Sequence, residues 1–387
     1  MTNKVVCDVA IVGGGVIGLS CARELMRVGM DRVVVLEKEG SVGTGSSARA
    51  NGGVRAQFTT PINIDFSLYS IGEFERMQEE SGGLLSFHQT GYLLMAGTEK
   101  GEHGLRVACE LQRERGVRTQ WLSVEDVARL VPFVRIEGLR SGTFHERDGF
   151  LDPHGVVQTI RQSALASGAQ VVTNSAVNAI DDVGDHFVLR TGSLAVEAPW
   201  VVDAAGAHAR EIGALAGVDV PVEPVRRNLA YIRDGKGPSE LIPMCVDLDT
   251  GVLVRREVAG GFVVAYSDPD DEPGWDVSVD PKFFEDLAAR IGNRFPFLEE
   301  APVDPARSWA GLYPETLDHH AIVGVAPENE RFVICAGFGG HGIMHSPAAG
   351  RAVAEIISDG HCSSFDLRSL RPARFAEGDW VIETAVL

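Results

Sequence analysis

The chain has 387 residues, 44% of them hydrophobic and 23% charged, with a formal net charge of −19. This is the composition of an ordinary soluble globular protein, long enough for two domains or one with a deep core. The acidic balance excludes nucleic acid as a partner, which needs a basic stripe, and argues equally against an anionic membrane surface. No run reaches the roughly 18 apolar residues of a membrane span, and no signal-like segment opens the chain, since its first apolar run, VAIVGGGVIGL, is broken by glycines. The six cysteines are scattered without a C-x-x-C pair, which suits small core residues in a reducing cytoplasm.

Residues 6–39 read as strand, tight turn, helix and strand. Gly13-Gly14-Gly15-Val16-Ile17-Gly18 satisfies G-x-G-x-x-G at the turn. Gly13 permits the turn, Gly15 lets a pyrophosphate approach the backbone, and Gly18 lets helix and strand pack closely. The helix N-terminus, starting at Val16 and Ile17, turns its free N–H groups toward the phosphates. Glu37, with Lys38 beside it, ends the second strand where a carboxylate accepts hydrogen bonds from a ribose diol. This corner binds a dinucleotide but leaves NAD and FAD undistinguished.

A glycine-rich loop (40–53) leads to an amphipathic helix over 63–77. Residues 84–145 hold strands HQTGYLLMA and SGTFHERDG and helices ACELQRERG and SVEDVARLV, without a glycine fingerprint. The strand–helix–strand grammar returns at 148–173, with Asp152 as N-cap and Pro153 in the first turn. A meander over 175–206 ends in the buried strand WVVDAAG, and 222–309 supplies strands RRNLAYIR, TGVLVRRE and GGFVVAYSD. An acidic loop, DPDDEPGWD, and a helix over 280–295 follow. A second glycine corner, AGFGGHGIMHSP (336–347), joins the strand RFVIC to the helical AAGRAVAEII. Ser346 suits the N-cap of that helix and Pro347 its first turn. The expected organisation is a discontinuous nucleotide-binding domain (1–87, 146–221 and 310–387) interleaved with a substrate domain (88–145 and 222–309).

Gly45-Ser46-Ser47, NGGVRAQF (51–58), VVDAAGAHA (201–209), WAGLYPETLDHHAIVG (309–324) and AGFGGHGI together resemble the D-amino-acid-oxidase-like FAD superfamily. Within it, the chain is similar to the sarcosine oxidase, dimethylglycine dehydrogenase and L-proline dehydrogenase β-subunit branch, over essentially its whole length and in order. The spacing of VRAQF…PINI and of GGHGIMHSPAAGRAVAEI is also similar to a mitochondrial FAD-containing assembly factor of the respiratory chain. The resemblance implies an α/β fold: a Rossmann-like FAD-binding domain of glutathione-reductase type interleaved with an antiparallel-sheet α+β substrate domain. It implies that Ser46 and Ser47, in a loop with Gly45, Arg49, Gly52 and Gly53, give hydroxyls to the FAD diphosphate. The backbone of Val177 reads adenine, and small Ala205 and Gly206 let the cofactor lie against a strand end. The second corner, Gly339, Gly340, His341, Gly342, Ile343 and Met344, serves the flavin, whose reduced form carries negative charge that backbone N–H groups and a helix N-terminus stabilise.

On the substrate side the resemblance places Arg55 at a substrate carboxylate, a bidentate pairing that fixes the α-carbon over the flavin. His341 is assigned a place beside the flavin, and His341 or His345 could act as a base on a hydroxyl. Their H-x-x-x-H spacing is metal-like, but Gly342 and the Ser-Pro start interrupt the aligning helix and no acid or cysteine cluster lies nearby, so no metal is assigned. Gly311 stands where covalent relatives carry a flavin-linked cysteine, which implies non-covalent FAD. Val263, or a residue close to it, and Met344 stand where oxidase relatives carry lysines, and the chain has only five lysines. Tyr231, Tyr266 and Tyr313 are read as pocket or core residues.

The expected activity is oxidation of the C–N bond of a secondary or N-methylated amino acid by hydride transfer to flavin N5, with hydrolysis of the imine. The partners are then an amino-acid-like small molecule and oxygen or another electron acceptor. The alternatives are a 2-hydroxy-acid dehydrogenase and a non-enzymatic flavin-bearing assembly or electron-transfer subunit.

Overall fold

Val9–Val12 is buried along its whole length, a pattern that demands cover on both faces. The computed structural model, which describes residues 3–268 and 270–385, places this strand inside a six-stranded sheet. The order is Ile322–Ala326, Asn329–Ala336, Trp200–Asp203, Val9–Val12, Val33–Leu36 and Gln170–Val172. Every pairing is parallel except the edge strand Ile322–Ala326. One face carries the helices Val16–Arg27 and Gly342–Asp359, which bury Cys21, Leu25, Ala349 and Val353 against Ile11 and Val333. The two helices cross so closely that a Cβ at Gly350 would lie 2.5 Å from the Ser20 carbonyl oxygen. The opposite face is covered by a four-stranded sheet built largely from the 175–206 meander, with Phe187, Leu189 and Val196 against Ala10, Val34 and Phe332.

An eight-stranded, mainly antiparallel sheet forms the second layer. Its order is Trp309–Glu315, Glu223–Ile232, Phe262–Ala265, Val252–Arg256, Met244–Asp247, Tyr92–Ala96, Ser141–His145 and Gln120–Leu122. The helix Pro281–Ile291, capped by Asp280, packs Phe283 and Leu287 on it beside Ala230, Val254 and Val264. Trp309–Glu315 pairs with Glu223–Ile232 from Trp309↔Leu229 to Glu315↔Glu223. This strand, which the sequence division gives to the nucleotide-binding stretch from 310 onward, is therefore an edge of the eight-stranded sheet. Its partner lies eighty or more residues away, so local pattern does not reveal the pairing.

The closing helix starts at Gly342, not at Ser346, and Pro347 lies inside it. Proline in a helix leaves the carbonyl four residues back without its donor; here that is Ile343, and the Ser346 hydroxyl donates to it at 2.9 Å. Local compensation at one carbonyl makes the Ser-Pro pair an interior feature. The helix ends where Gly360, at a φ of +78°, takes the left-handed conformation. Cys7, Cys21, Cys109, Cys245 and Cys335 are buried thiols. Among the described residues no helix is long and apolar enough to cross a membrane.

Candidate active site

Both glycine corners open on one cavity of about 870 Å³, near the upper end for small-molecule sites. A Cβ at Gly13, where φ is +110°, would lie 2.4 Å from the Ala204 carbonyl oxygen, and one at Gly18 only 2.0 Å from that of Gly13. The protein's own backbone requires those two glycines. At Gly15 the nearest atom is Ser47 Oγ, 3.4 Å away, so only something inside the cavity needs that residue small. The helix Val16–Arg27 has no cap from its own N-cap residue and no acid in its first turn, and the same holds for Gly342–Asp359. Two positive helix ends without an acidic cap thus face the same space.

Around the first corner, Glu37 lines the cavity and also braces the turn, accepting from Gly14 N–H and Glu39 N–H at 2.8 Å each. Lys38 Nζ lies 3.1 Å from His208 Nε2. Ser47 Oγ accepts from Val16 N–H at 3.1 Å, which leaves its own proton for the cavity. Ser46 departs from expectation, donating its hydroxyl proton to the Leu312 carbonyl at 2.6 Å. Arg49 donates to the Ala310 carbonyl and accepts at its own carbonyl from the Trp309 indole, so this loop is stitched to the edge strand. Gly45, Val177, Ala205 and Gly206 line the cavity as expected positions do. Gly52 backs on the Leu151 carbonyl and Gly53 on the Tyr92 hydroxyl, each too close for a Cβ. At Gly311 a Cβ would sit 2.9 Å from that of Arg49.

At the second corner Gly339, with a φ of +49°, turns the chain, and Gly340 rests against the Tyr313 ring. Ile343 and Met344 are buried and line the cavity with His341. Arg55 is 1% exposed. Its guanidinium donates to the Gln57 and Ala385 carbonyls and lies 3.9 Å over the Phe58 ring. Among the described residues it forms no salt bridge, and burial pushes its pKa down. Asp148 steadies the segment on either side, accepting from Ala56 N–H, the Gln57 amide and His145 Nδ1.

The two histidines part company. His341 meets Phe58 edge-on at 4.9 Å and reaches the cavity. His345 does not line it: the ring sits between Phe58 and Phe66, with Nε2 3.0 Å from Ser67 Oγ. A catalytic place for His345 is therefore corrected to a core one. The helix also runs unbroken from Gly342 past His345, contrary to the interruption expected there. Among the described residues no three His, Cys, Asp or Glu side chains gather as a metal site.

Burial holds His341 and His345 well below the usual imidazole range, and lowers His320 too. Below a pH of about 6.5 the unfolded chain then binds protons that the folded one refuses, so stability is full above that pH and is lost as pH falls. His319, raised by its bond to Glu315, works in the opposite sense but is half-exposed. The melting temperature should drop between pH 7 and pH 5, and His345→Asn should flatten that drop in melts at each pH.

Residues 8–356 match the family described as DAO, FAD dependent oxidoreductase. The chain belongs to the DAO family. It is 31% identical to FAD-dependent oxidoreductase domain-containing protein 1 of Bos taurus, over 98% of this chain and 87% of that one. The crystal structure of L-proline dehydrogenase from P. horikoshii superposes with a TM-score of 0.91 and 27% identity, over 98% of this chain and all (100%) of that one. The 4-methylaminobutanoate oxidase (formaldehyde-forming) of Paenarthrobacter nicotinovorans is 29% identical over 95% of this chain, which spans 45% of that protein. The α/β fold, the oxidoreductase class and dependence on FAD thus stand as read from the sequence.

The DAO chain's cavity fits such a cofactor: an extended molecule with an anionic diphosphate meets a glycine that the surrounding protein does not crowd, and the N-termini of two helices. Several wall residues carried no local signal. Tyr92 reads simply as a strand residue in GYLLMA, and its phenol is pushed up by burial. Arg227 and His208 also line the wall, as do Tyr266 and Tyr313, whereas Tyr231 is a core residue donating to the Gly260 carbonyl. Val263 is packed against Leu229 and Tyr231; Ala265, two residues on, is the residue of that strand on the cavity.

Proposed function

We propose that this DAO-family protein oxidises the C–N bond of a secondary or N-methylated amino acid, with Arg55 holding the carboxylate. The observation that carries this reading is a fully buried guanidinium on the cavity with no acidic partner among the described residues. Burying a charge without its counter-ion is expensive, and a substrate carboxylate supplies the counter-ion in bidentate form. Similarity to an L-proline dehydrogenase structure and a methylaminobutanoate oxidase supports the choice of a C–N bond.

Non-covalent FAD would lie with its diphosphate at Gly13, Gly15, Val16, Ile17 and the Ser47 hydroxyl, and its ribose at Glu37. Val177, Ala205 and Gly206 would flank the adenosine half. The N–H groups from Gly340 to Ile343 and the helix end at Gly342 would face the electron-rich edge of the flavin. Bound there, FAD supplies the hydride acceptor. Arg55 fixes the substrate's α-carbon, and Tyr92, Tyr313 and Phe338 shield it from water. His341, kept neutral by burial, offers a hydrogen bond without adding charge. The imine product hydrolyses in water. Ala265 and Met344 place no ammonium on the wall to assist oxygen, which favours an electron acceptor other than oxygen.

A second reading, oxidation of a 2-hydroxy acid, is favoured by the same neutral His341 on the cavity wall, which can accept a hydrogen bond from a substrate hydroxyl. Anaerobic mixing of the flavoprotein with N-methyl amino acids, proline, primary amino acids and 2-hydroxy acids separates the two. Bleaching by the secondary amines is expected. Bleaching by hydroxy acids alone selects the second reading, and silence throughout retires both in favour of a non-enzymatic flavoprotein.

A further inference from the structure

We infer that the substrate carries a second carboxylate, received by Arg227 on the wall of the same cavity. The inference rests on the proposed role of Arg55 and narrows it, to secondary amino acids bearing a further carboxylate on the nitrogen substituent or the side chain.

The strand Glu223–Ile232 carries two consecutive arginines with opposite surroundings. Arg226 is a structural residue, bound to Asp276 and Asp280 at 2.9 and 3.1 Å, which ties down the loop before the helix Pro281–Ile291. Arg227 points the other way, into the cavity. It has one acid, Asp271, at 2.9 Å from Nη1, and that same nitrogen also donates to the Arg226 carbonyl. Its Nε is enclosed yet has no hydrogen-bond partner among the described residues. Enclosed donors are almost always satisfied, so an orphan beside a cavity marks a missing acceptor. A carboxylate approaching the Nε edge would pair with it without displacing Asp271 from Nη1.

The placement suits a ligand that also reaches Arg55. Tyr313 and both arginines line the same cavity, and the Tyr313 ring centroid is 5.6 Å from the Arg227 guanidinium carbon. Burial raises its phenol, while both Arg227 and Arg55 pull it back down. Gly340 abuts the same ring, so Tyr313 links Arg227 to the second glycine corner. Asp271 belongs to the acidic loop DPDDEPGWD and provides Arg227 with a resident counter-charge, which any incoming carboxylate feels as repulsion.

The test titrates the holoprotein with inert acids and follows the flavin spectrum: acetate and propionate against malonate, succinate and glutarate. At least one dicarboxylate should bind about 10- to 100-fold tighter than the monocarboxylates, the range expected of one added charge-assisted pairing. Arg227→Met should bring that ratio to near one. Asp271→Asn, at a surface loop, should raise it and serves should the arginine variant fail to fold. A wild-type ratio near one, or an advantage that survives Arg227→Met or is unmoved by Asp271→Asn, overturns the inference. Iminodiacetate and sarcosine as reductants separate the two levels. Bleaching by sarcosine but no better by iminodiacetate removes the second carboxylate alone, whereas failure of both, with the dicarboxylate ratio intact, removes the C–N chemistry and keeps the anion site.

Discussion

Arg55→Met should lower kcat/KM for amino-acid substrates by about 10²-fold, while amines without a carboxylate, such as N-methylated alkylamines, lose no more than about threefold. A charge-assisted bidentate pair contributes about 1.5–3 kcal/mol, and in a site closed to water the value lies at the upper end. Most of the loss should fall on KM if the arginine grips substrate and transition state alike, and on kcat if it chiefly sets the α-carbon over the hydride acceptor. Arg55→Lys should rescue only part, because an ammonium cannot reproduce the forked pairing and loses the stack on Phe58. Steady-state kinetics on matched amines with and without the carboxylate check this. Equal losses on both would show that the variant had damaged the wall and that Arg55 does not discriminate carboxylates.

The parts of this site that lie within a few residues of each other were readable before any coordinates. Gly13, Gly15 and Gly18 stand at fixed spacing, and the structure separates them: the backbone demands Gly13 and Gly18 and leaves room at Gly15. Readings that depend on a distant partner fared differently. Ser46 lines the cavity, but the acceptor of its hydroxyl, the Leu312 carbonyl, comes from 266 residues away. Tyr92 and Arg227 stand on strands whose facing neighbours are fixed by register with remote segments, so alternation alone could not aim them. His341 and His345 are four residues apart, the spacing that normally shares a helix face. Only one reaches the cavity, because His341 is the N-cap and His345 is already clasped by Ser67 and two phenylalanines. The Ser-Pro helix start failed for a local reason that sequence rules do not weigh: one hydroxyl repairs the carbonyl that proline orphans.

The glycine at position 15 offers the sharpest separation of folding from cofactor binding. Gly15→Val should give a folded but colourless protein, with FAD affinity reduced by about 10³-fold or more. The backbone there, with φ −73° and ψ 179°, is extended and open to any L residue, and the nearest neighbour of a new Cβ is a hydroxyl at 3.4 Å. Valine is a poor N-cap, so a cost near 1 kcal/mol to the apoprotein is expected. Its branches, however, would fill the approach to the Val16–Arg27 helix end, where an anionic diphosphate would otherwise collect two or more charge-assisted bonds of about 1.5–3 kcal/mol each. Gly18→Val is the contrasting case. Its Cβ would meet the Gly13 carbonyl oxygen at 2.0 Å, so helix and strand must separate and the fold itself should fail, by several kcal/mol. Circular dichroism melts of the apoproteins and flavin-fluorescence titrations distinguish the two. A Gly15→Val protein that stays yellow at wild-type stoichiometry would mean that no diphosphate rests against this corner. The cavity would then have to hold its cofactor by the second helix end, at Gly342, without the first.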